Sequence, residues 1–307
     1  MKIVSLFSGA GGLDLGLIKS GHKVVWANDI DKDSCETYRK NIGQHIVCKS
    51  ISEVEISDIP DCDVVVGGFP CQGFSMANML RTSDDERNIL YRQFHRVIDG
   101  KKPLYFIAEN VRGILSLDNG NAIKKIVHDF TEAGYRVSYK LFNTADFGVP
   151  QSRLRVIIAG TRNDLPTQQD FIFPEPTHDK TSWVSIGKAL QNIPEPDEDA
   201  PQFVNHVYSK YKVTNRNFTG HRRTDPNKPS PTILARGNGK GGVCAIQHPN
   251  NHRRMSVRES ALIQTFPLDF EFVGSMGSSY RQVGNAVPVL FGKNLGSKLK
   301  ELELAYI

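Results

Sequence analysis

The feature that most constrains this chain is an alternation. Apolar, strand-like runs recur through its first half, separated by helix-forming stretches, and several of them end in small or charged residues. Lys2–Ser8, Lys23–Asp29, Cys62–Gly68 and Leu104–Ala108 are rich in β-branched and aromatic residues, and Tyr135–Phe142 and Arg155–Thr161 continue the series. Runs of this length read as strands, and helical stretches between them supply the crossovers that a largely parallel sheet needs. The expected fold class is therefore α/β, a doubly wound sheet with helices on its faces. In such sheets ligands and chemistry collect beyond the carboxyl ends of the strands. The informative residues of this chain sit there.

The first run opens into Gly9-Ala10-Gly11-Gly12 and then a helix, a turn through which a backbone can approach a ligand closely. A dinucleotide loop needs GxGxxG; counted from Gly9, the third glycine position is Asp14, so that fingerprint fails. The turn suits a nucleoside-bearing cofactor without a pyrophosphate. The second run ends in Asp29, about 20 residues beyond the turn, where a carboxylate can hold a ribose diol; Asp31 is the alternative, as a helix cap. The third run leads into Gly67-Gly68-Phe69-Pro70-Cys71-Gln72, placing a thiol at a strand end. Cys71 is either a nucleophile or a small buried hydrophobe. The fourth run ends in Glu109-Asn110-Val111, a carboxylate at the same sheet edge. Arg153 and Arg155, at alternate positions entering a strand, are expected to share one face.

Beyond Thr161 the texture changes: prolines punctuate it and helical periodicity fades. Between His178 and Val257 there are 12 Lys/Arg against 6 Asp/Glu, whereas the remainder holds 26 basic and 27 acidic residues. The whole positive excess lies in one segment, which points to a polyanionic partner. A second, smaller and irregular domain is expected over residues 171–275, with residues 1–170 plus 276–307 forming the first. Ser256 and Glu259 have the spacing of a capping box, and the tail after Pro288 reads as a final helix. No apolar run reaches the length of a membrane span, and the amino terminus enters a strand without a signal peptide. Five scattered cysteines without a CxxC pair argue for reduced thiols in the cytoplasm, and against a zinc site or disulfide framework.

Taken in order, Phe7–Gly12, Asn28-Asp29, Gly68-Phe69-Pro70-Cys71-Gln72, Glu109-Asn110-Val111, Gln151-Ser152-Arg153-Leu154-Arg155, Arg258-Glu259 with Gln264-Thr265-Phe266-Pro267, and Gly284-Asn285-Ala286-Val287-Pro288 resemble the ordered motifs of the DNA cytosine-C5 methyltransferases. The resemblance spans nearly the whole chain. It implies a Rossmann-like, S-adenosylmethionine-dependent sheet domain, a target-recognition domain over 171–275, and a last helix that folds back onto the first domain. It further implies that Cys71 attacks C6 of a cytosine flipped out of double-stranded DNA. Glu109 engages N3 and the exocyclic amine, Arg155 the base O2, and Arg153 supports the same loop.

The cofactor residues implied are Phe7, Gly9, Ala10, Gly11 and Gly12, with Asp29 on the ribose and Ile30 on the adenine. Pro70, Gln72, Leu90, Asn285 and Val287 complete that set. Ser50, before Ile51, stands where the family commonly has an Asp on the adenine amine, and Phe69 where a proline is frequent. Ser75, Arg222, Arg223, Arg236 and Lys240 are the expected DNA contacts. The family's usual context implies a restriction endonuclease paired in function but not bound, and a monomer is expected. Two other readings are a catalytically inactive DNA-binding relative and a transfer-RNA cytosine methyltransferase. The first has no need of Cys71, Glu109 and Arg155 together. The second carries a Cys-Phe-Thr tripeptide that this chain lacks.

Overall fold

The computed structural model describes residues 1–69, 86–197, 203–210, 223–235 and 246–305. Its first half follows the expected alternation: β1 (Lys2–Leu6), α1 (Gly12–Lys19), β2 (Lys23–Asp29), α2 (Lys32–Asn41), β3 (Ile46–Cys48), β4 (Val64–Gly67), α3 (Glu86–Lys101), β5 (Tyr105–Val111) and α4 (Asn121–Glu132). Then come β6 (Tyr135–Asn143), β7 (Gln151–Ser152), β8 (Leu154–Arg162), α5 (Ile186–Leu190), β9 (Ser230–Pro231), α6 (Val257–Ile263), α7 (Met276–Asn285) and α8 (Val289–Ala305).

Seven strands form one sheet in the order β3-β2-β1-β4-β5-β8-β6. The first five pair in parallel, and β8 runs antiparallel to both β5 and β6. The reversal has a local cause. Residues 144–153 hold only a one-turn 3-10 helix, closed by Gly148 at φ 78°, and the two-residue β7, a connection too short for the helical crossover that parallel pairing requires.

Side chains alternate across the sheet as a strand's two-residue period dictates. Ile3, Val64 and Val66 share one core with Leu13, Leu17, Phe291, Leu295 and Leu299. Val4, Leu6 and Val65 share the other with Phe94, Ile126 and Phe130. The first face is thus covered by α1, α2 and α8, and the second by α3 and α4. The last helix does fold back. A Cβ on Gly16 would lie 2.5 Å from the Lys293 amide and the Val289 carbonyl, so α1 and α8 cross in backbone contact. A third core joins Ile186, Ile233, Met255, Val257, Phe266, Phe270 and Phe272 with Tyr280 and Val283 of α7. Ser256 caps α6, and both halves of its capping box with Glu259 are made.

Candidate active site

The strand order reverses between β1 and β4. From β1 the chain moves outward through β2 and β3, then returns to lay β4 on β1's other edge, with Leu6 beside Gly67. In an open α/β sheet a reversal of this kind is where ligands bind, beyond the carboxyl ends of the two strands. Beyond β1 comes the glycine turn, with Phe7, Gly9 and Gly11 all at positive φ. These glycines are not equivalent. A Cβ on Gly9 would meet nothing within 4 Å, whereas on Gly11 it would strike Ile42 and Tyr38, and on Gly12 it would lie 2.3 Å from the Val287 carbonyl. Gly11 and Gly12 pack the turn against α2 and the segment before α8, Ala10 is buried in the third core, and Gly9 keeps a bare backbone toward open space.

Asp29 ends β2 beside that bare backbone. Its Oδ2 accepts from the Gly9 amide (2.7 Å) and its Oδ1 from the Asp31 amide (2.9 Å). The helix cap is Asp31, which accepts from the Ser34 amide at 2.9 Å, so the two aspartates have separate duties. Burial pushes the Asp29 carboxyl above its ordinary value, against the pull of the two amides. Each of its oxygens retains a lone pair for a further donor. Ile30, next in the chain, is 70% exposed, an apolar platform without a cover. The Ser50 hydroxyl pairs with that of Ser52 (2.7 Å), Ile51 is buried, and Leu90 packs half-buried on the second core. Asn285 is exposed, and Val287 is buried against the turn. An accepting carboxylate, a backbone without a side chain at Gly9 and an exposed aliphatic side chain fit the adenosine part of a cofactor.

Near the carboxyl end of β5, Glu109 forms an ion pair with Arg155, Oε1 to Nε, at 2.5 Å. The ladder explains it. Val111 is opposite Arg155 and Glu109 opposite Ile157, so Glu109 and Arg155 are diagonal neighbours on one face. The other carboxylate oxygen lies 3.0 Å from where a Gly68 Cβ would stand, which keeps that position free of a side chain. Asn110, pointing the opposite way, donates to the Phe69 carbonyl (2.9 Å) and accepts from the Val111 amide (2.9 Å). The Phe69 ring is buried against Tyr91 and Phe94. The backbone is thereby anchored one residue before Pro70, directly beside the Glu109 carboxylate. Pro70, Cys71, Gln72 and Ser75 lie outside the described residues, as do Arg222, Arg236 and Lys240.

Arg153 stands apart from Arg155. Its Nη1 donates to the Ile233 carbonyl and its Nη2 to the Gly284 carbonyl, each at 3.0 Å. Gln151 and Gln264, buried and bonded to each other at 2.9 Å, belong to the same cluster; the sequence offered no sign of it beyond their place in two motifs. Arg258 is also internal, donating to the carbonyls of Val204, Pro267 and Phe270 at 2.9, 3.1 and 2.6 Å. Arg223 is exposed.

Glu195, His248 and His252 bring ligand atoms within 4.8 Å of one another. Arg253 already donates to the Glu195 carboxylate at 2.6 Å and His252 approaches it at 3.2 Å, and these partners draw that carboxyl down to about 2. His248 Nδ1 accepts from the Asn250 amide (3.2 Å), which leaves its proton on Nε2. The group reads as an ion-pair cluster. Among the described residues no helix is long and apolar enough to cross a membrane.

Solved structures share this architecture across the whole chain. The Dnmt2 methyltransferase of S. pombe superposes with a TM-score of 0.70 at 20% identity, covering 100% of this chain and 99% of that one. The Entamoeba histolytica methyltransferase EhMeth gives 0.72 at 18% identity, covering 100% and 98%. These likenesses define a shared Rossmann-like fold with a seven-stranded sheet. Residues 1–301 match the family model described as C-5 cytosine-specific DNA methylase, and the chain belongs to that family. Type II methyltransferase M.NgoFVII of Neisseria gonorrhoeae is 42% identical over 94% of this chain and 83% of its own length. Type II methyltransferase M.MthTI of Methanothermobacter thermautotrophicus is 37% identical over 98% and 97%. The chain is a DNA (cytosine-5-)-methyltransferase.

Proposed function

We propose that this enzyme transfers the methyl group of S-adenosylmethionine to C5 of a cytosine flipped out of a specific double-stranded DNA sequence. The observation that carries the reading is the Glu109–Arg155 pair beside the anchored backbone of Phe69, two residues before Cys71. Bound at the strand ends, S-adenosylmethionine supplies an electrophilic methyl on sulfur. Asp29 takes the ribose hydroxyls, Ile30 covers the adenine, and Gly9 lets the backbone approach. Pro70, Gln72, Leu90, Asn285 and Val287 close the pocket around it.

C5 of cytosine is a poor nucleophile, so the ring is first activated. The Cys71 thiolate adds to C6, forming an Sγ–C6 bond and an enamine whose C5 takes the methyl as the methyl–sulfur bond breaks and a neutral thioether leaves. Glu109 holds N3 and the exocyclic amine, and Arg155 sits on O2, where negative charge develops. Loss of the C5 proton and expulsion of the Cys71 thiolate restore the aromatic ring. Residues 171–275 act as the recognition domain, with Arg223, Arg222, Arg236, Lys240 and Ser75 on the DNA, and residues 1–170 plus 276–307 as the catalytic domain. The enzyme works in the cytoplasm as a monomer, paired in function with a restriction endonuclease.

The decisive experiment combines mapping with trapping. Bisulfite sequencing of DNA from an expressing host identifies the methylated cytosine. A duplex carrying 5-fluorocytosine at that position then accumulates a covalent complex, because fluorine cannot leave C5 as the proton does. Cys71→Ser forms no such complex and transfers no methyl while retaining cofactor binding. Normal methylation by that variant would remove Cys71 from the reaction.

A further inference from the structure

Gln151, Arg153 and Gln264 are each fully or almost fully buried, Arg153 with 1% of its surface exposed. They sit where three distant stretches of chain meet. One is the 150–153 segment that opens β8. Another is the 230–235 segment, whose β9 pairs with β7 as Gln151 beside Ser230 and Ser152 beside Pro231. Thr232 Oγ1 also donates to the Ser152 carbonyl (2.8 Å), and the Ile233 amide to Gln151 Oε1 (2.9 Å). The third is 283–287. There, Gln264 Nε2 donates to the Val283 carbonyl (2.7 Å) and the Ala286 carbonyl (3.2 Å). A Cβ on Gly284 would lie 2.5 Å from the Ala235 amide, so these backbones touch. Arg153 spans all three stretches, one terminal nitrogen on Ile233 and the other on Gly284.

Each stretch continues into a different part of the proposed reaction, on which this inference rests. Arg155, holding Glu109, is two residues past Arg153 in the chain. Arg236, the first residue of the basic glycine-rich run, follows Ala235 directly. Val287, whose carbonyl covers Gly12 of the cofactor turn, follows Gly284 by three.

We infer that Arg153 is a positioning residue that keeps the recognition segment ending at Ala235 and the turn beside the cofactor loop in register with the Arg155–Glu109 pair. A guanidinium presents divergent donors in one rigid plane, and only such a fork reaches both carbonyls at once. Lysine at this position preserves the charge but gathers its three donors on a single nitrogen, and so releases one of the two backbones.

The test uses the full chain, S-adenosylmethionine and a duplex carrying the mapped target, with Arg153→Lys and Thr232→Val beside the wild type. Arg153→Lys is expected to slow single-turnover methylation about 10- to 100-fold, the cost of displacing a reacting group by about an ångström. Cofactor affinity and the salt dependence of DNA binding stay as in the wild type. Thr232→Val, which breaks only the tie to Ser152, shows a smaller loss with the same split. The active fraction is counted by cofactor titration. A wild-type rate per cofactor-binding molecule in Arg153→Lys overturns the inference, since a merely structural residue lowers that count and leaves the rate alone. If Arg153→Lys does not fold, a wild-type single-turnover rate in Thr232→Val overturns it instead. Wild-type protein that methylates no duplex refutes the proposed reaction, a different result from either.

Discussion

In the seven-stranded sheet, main chain pairs with main chain and apolar side chains fill both faces. Between Phe171 and Ser275 the described residues hold two short helices and a two-residue strand, and buried polar side chains take over the pairing. Arg258 serves three carbonyls. Asn205 both donates to and accepts from the backbone of Phe272 (2.9 and 2.7 Å), and Arg253 clasps Glu259 through two nitrogens (2.8 and 2.7 Å). A ladder tolerates side-chain change because its bonds belong to the backbone, whereas an irregular region braced by side chains depends on their identity. Chemistry can therefore be removed at the sheet's edge with little harm to the fold, and removing single polar side chains from the second region should cost folding first.

Four experiments press on this contrast. Glu109→Gln should lower kcat about 10²- to 10⁴-fold, the range for losing an acid–base group, with the melting temperature nearly unchanged because an amide oxygen still faces Arg155. A large drop in melting temperature with the rate intact would reverse the contrast. Arg258→Met should do the opposite. Each orphaned buried carbonyl costs about 1–3 kcal/mol, so denaturant titration should show a loss of about 3 kcal/mol or more, with near-normal rate per folded molecule.

The third concerns a polar group inside the sheet region. Asp14 is fully buried, accepts from Ser5 Oγ (2.7 Å) and Tyr38 Oη (2.8 Å), and burial raises its carboxyl from 3.8 to about 6. Because the folded state holds this proton more tightly, the stability it contributes is full below the ordinary value of 3.8 and is lost as pH rises to about 6. Asp14→Asn, neutral throughout, should gain on the wild type by on the order of 2–3 kcal/mol across that window and stay level above it. A difference that ignores pH would show that Asp14 does not titrate there. The smallest effect is expected from Arg223→Gln on the exposed surface. It should weaken DNA binding modestly and reduce the salt slope by about 0.9, the share of one phosphate. An unchanged slope would take Arg223 off the DNA.

The same contrast explains what could be read from the residues. Strand ends were legible because a sheet brings them to one edge whatever the details. Asp29, Gly9, Glu109 and the Phe69 backbone stand at or just beyond the carboxyl ends of β2, β1, β5 and β4, as that logic requires. The Ser256–Glu259 cap was legible because its two partners are three residues apart. Arg153 was paired with Arg155 by alternation, a rule that sees only the strand; its carbonyl partners lie on Ile233 and Gly284, far away in sequence. Gln151, Gln264 and Asn110 escaped for the same reason, since an amide side chain says nothing of which distant carbonyl it will meet. The antiparallel turn of β6 and β8 was legible in principle from the short connection between them.

The backbone contact between α1 and α8 also bears on how the protein comes into being. Phe291, Leu295 and Leu299 complete the core that Leu13 and Leu17 begin, so that face of the sheet stays open until α8 has been synthesised. At about 5–20 residues per second, the earliest strands wait tens of seconds on the ribosome for their cover. A nascent chain of this kind can hold most of its sheet and still lack one hydrophobic wall. The moment at which this face closes is then set by docking of α8, well after the reactive loops have been synthesised.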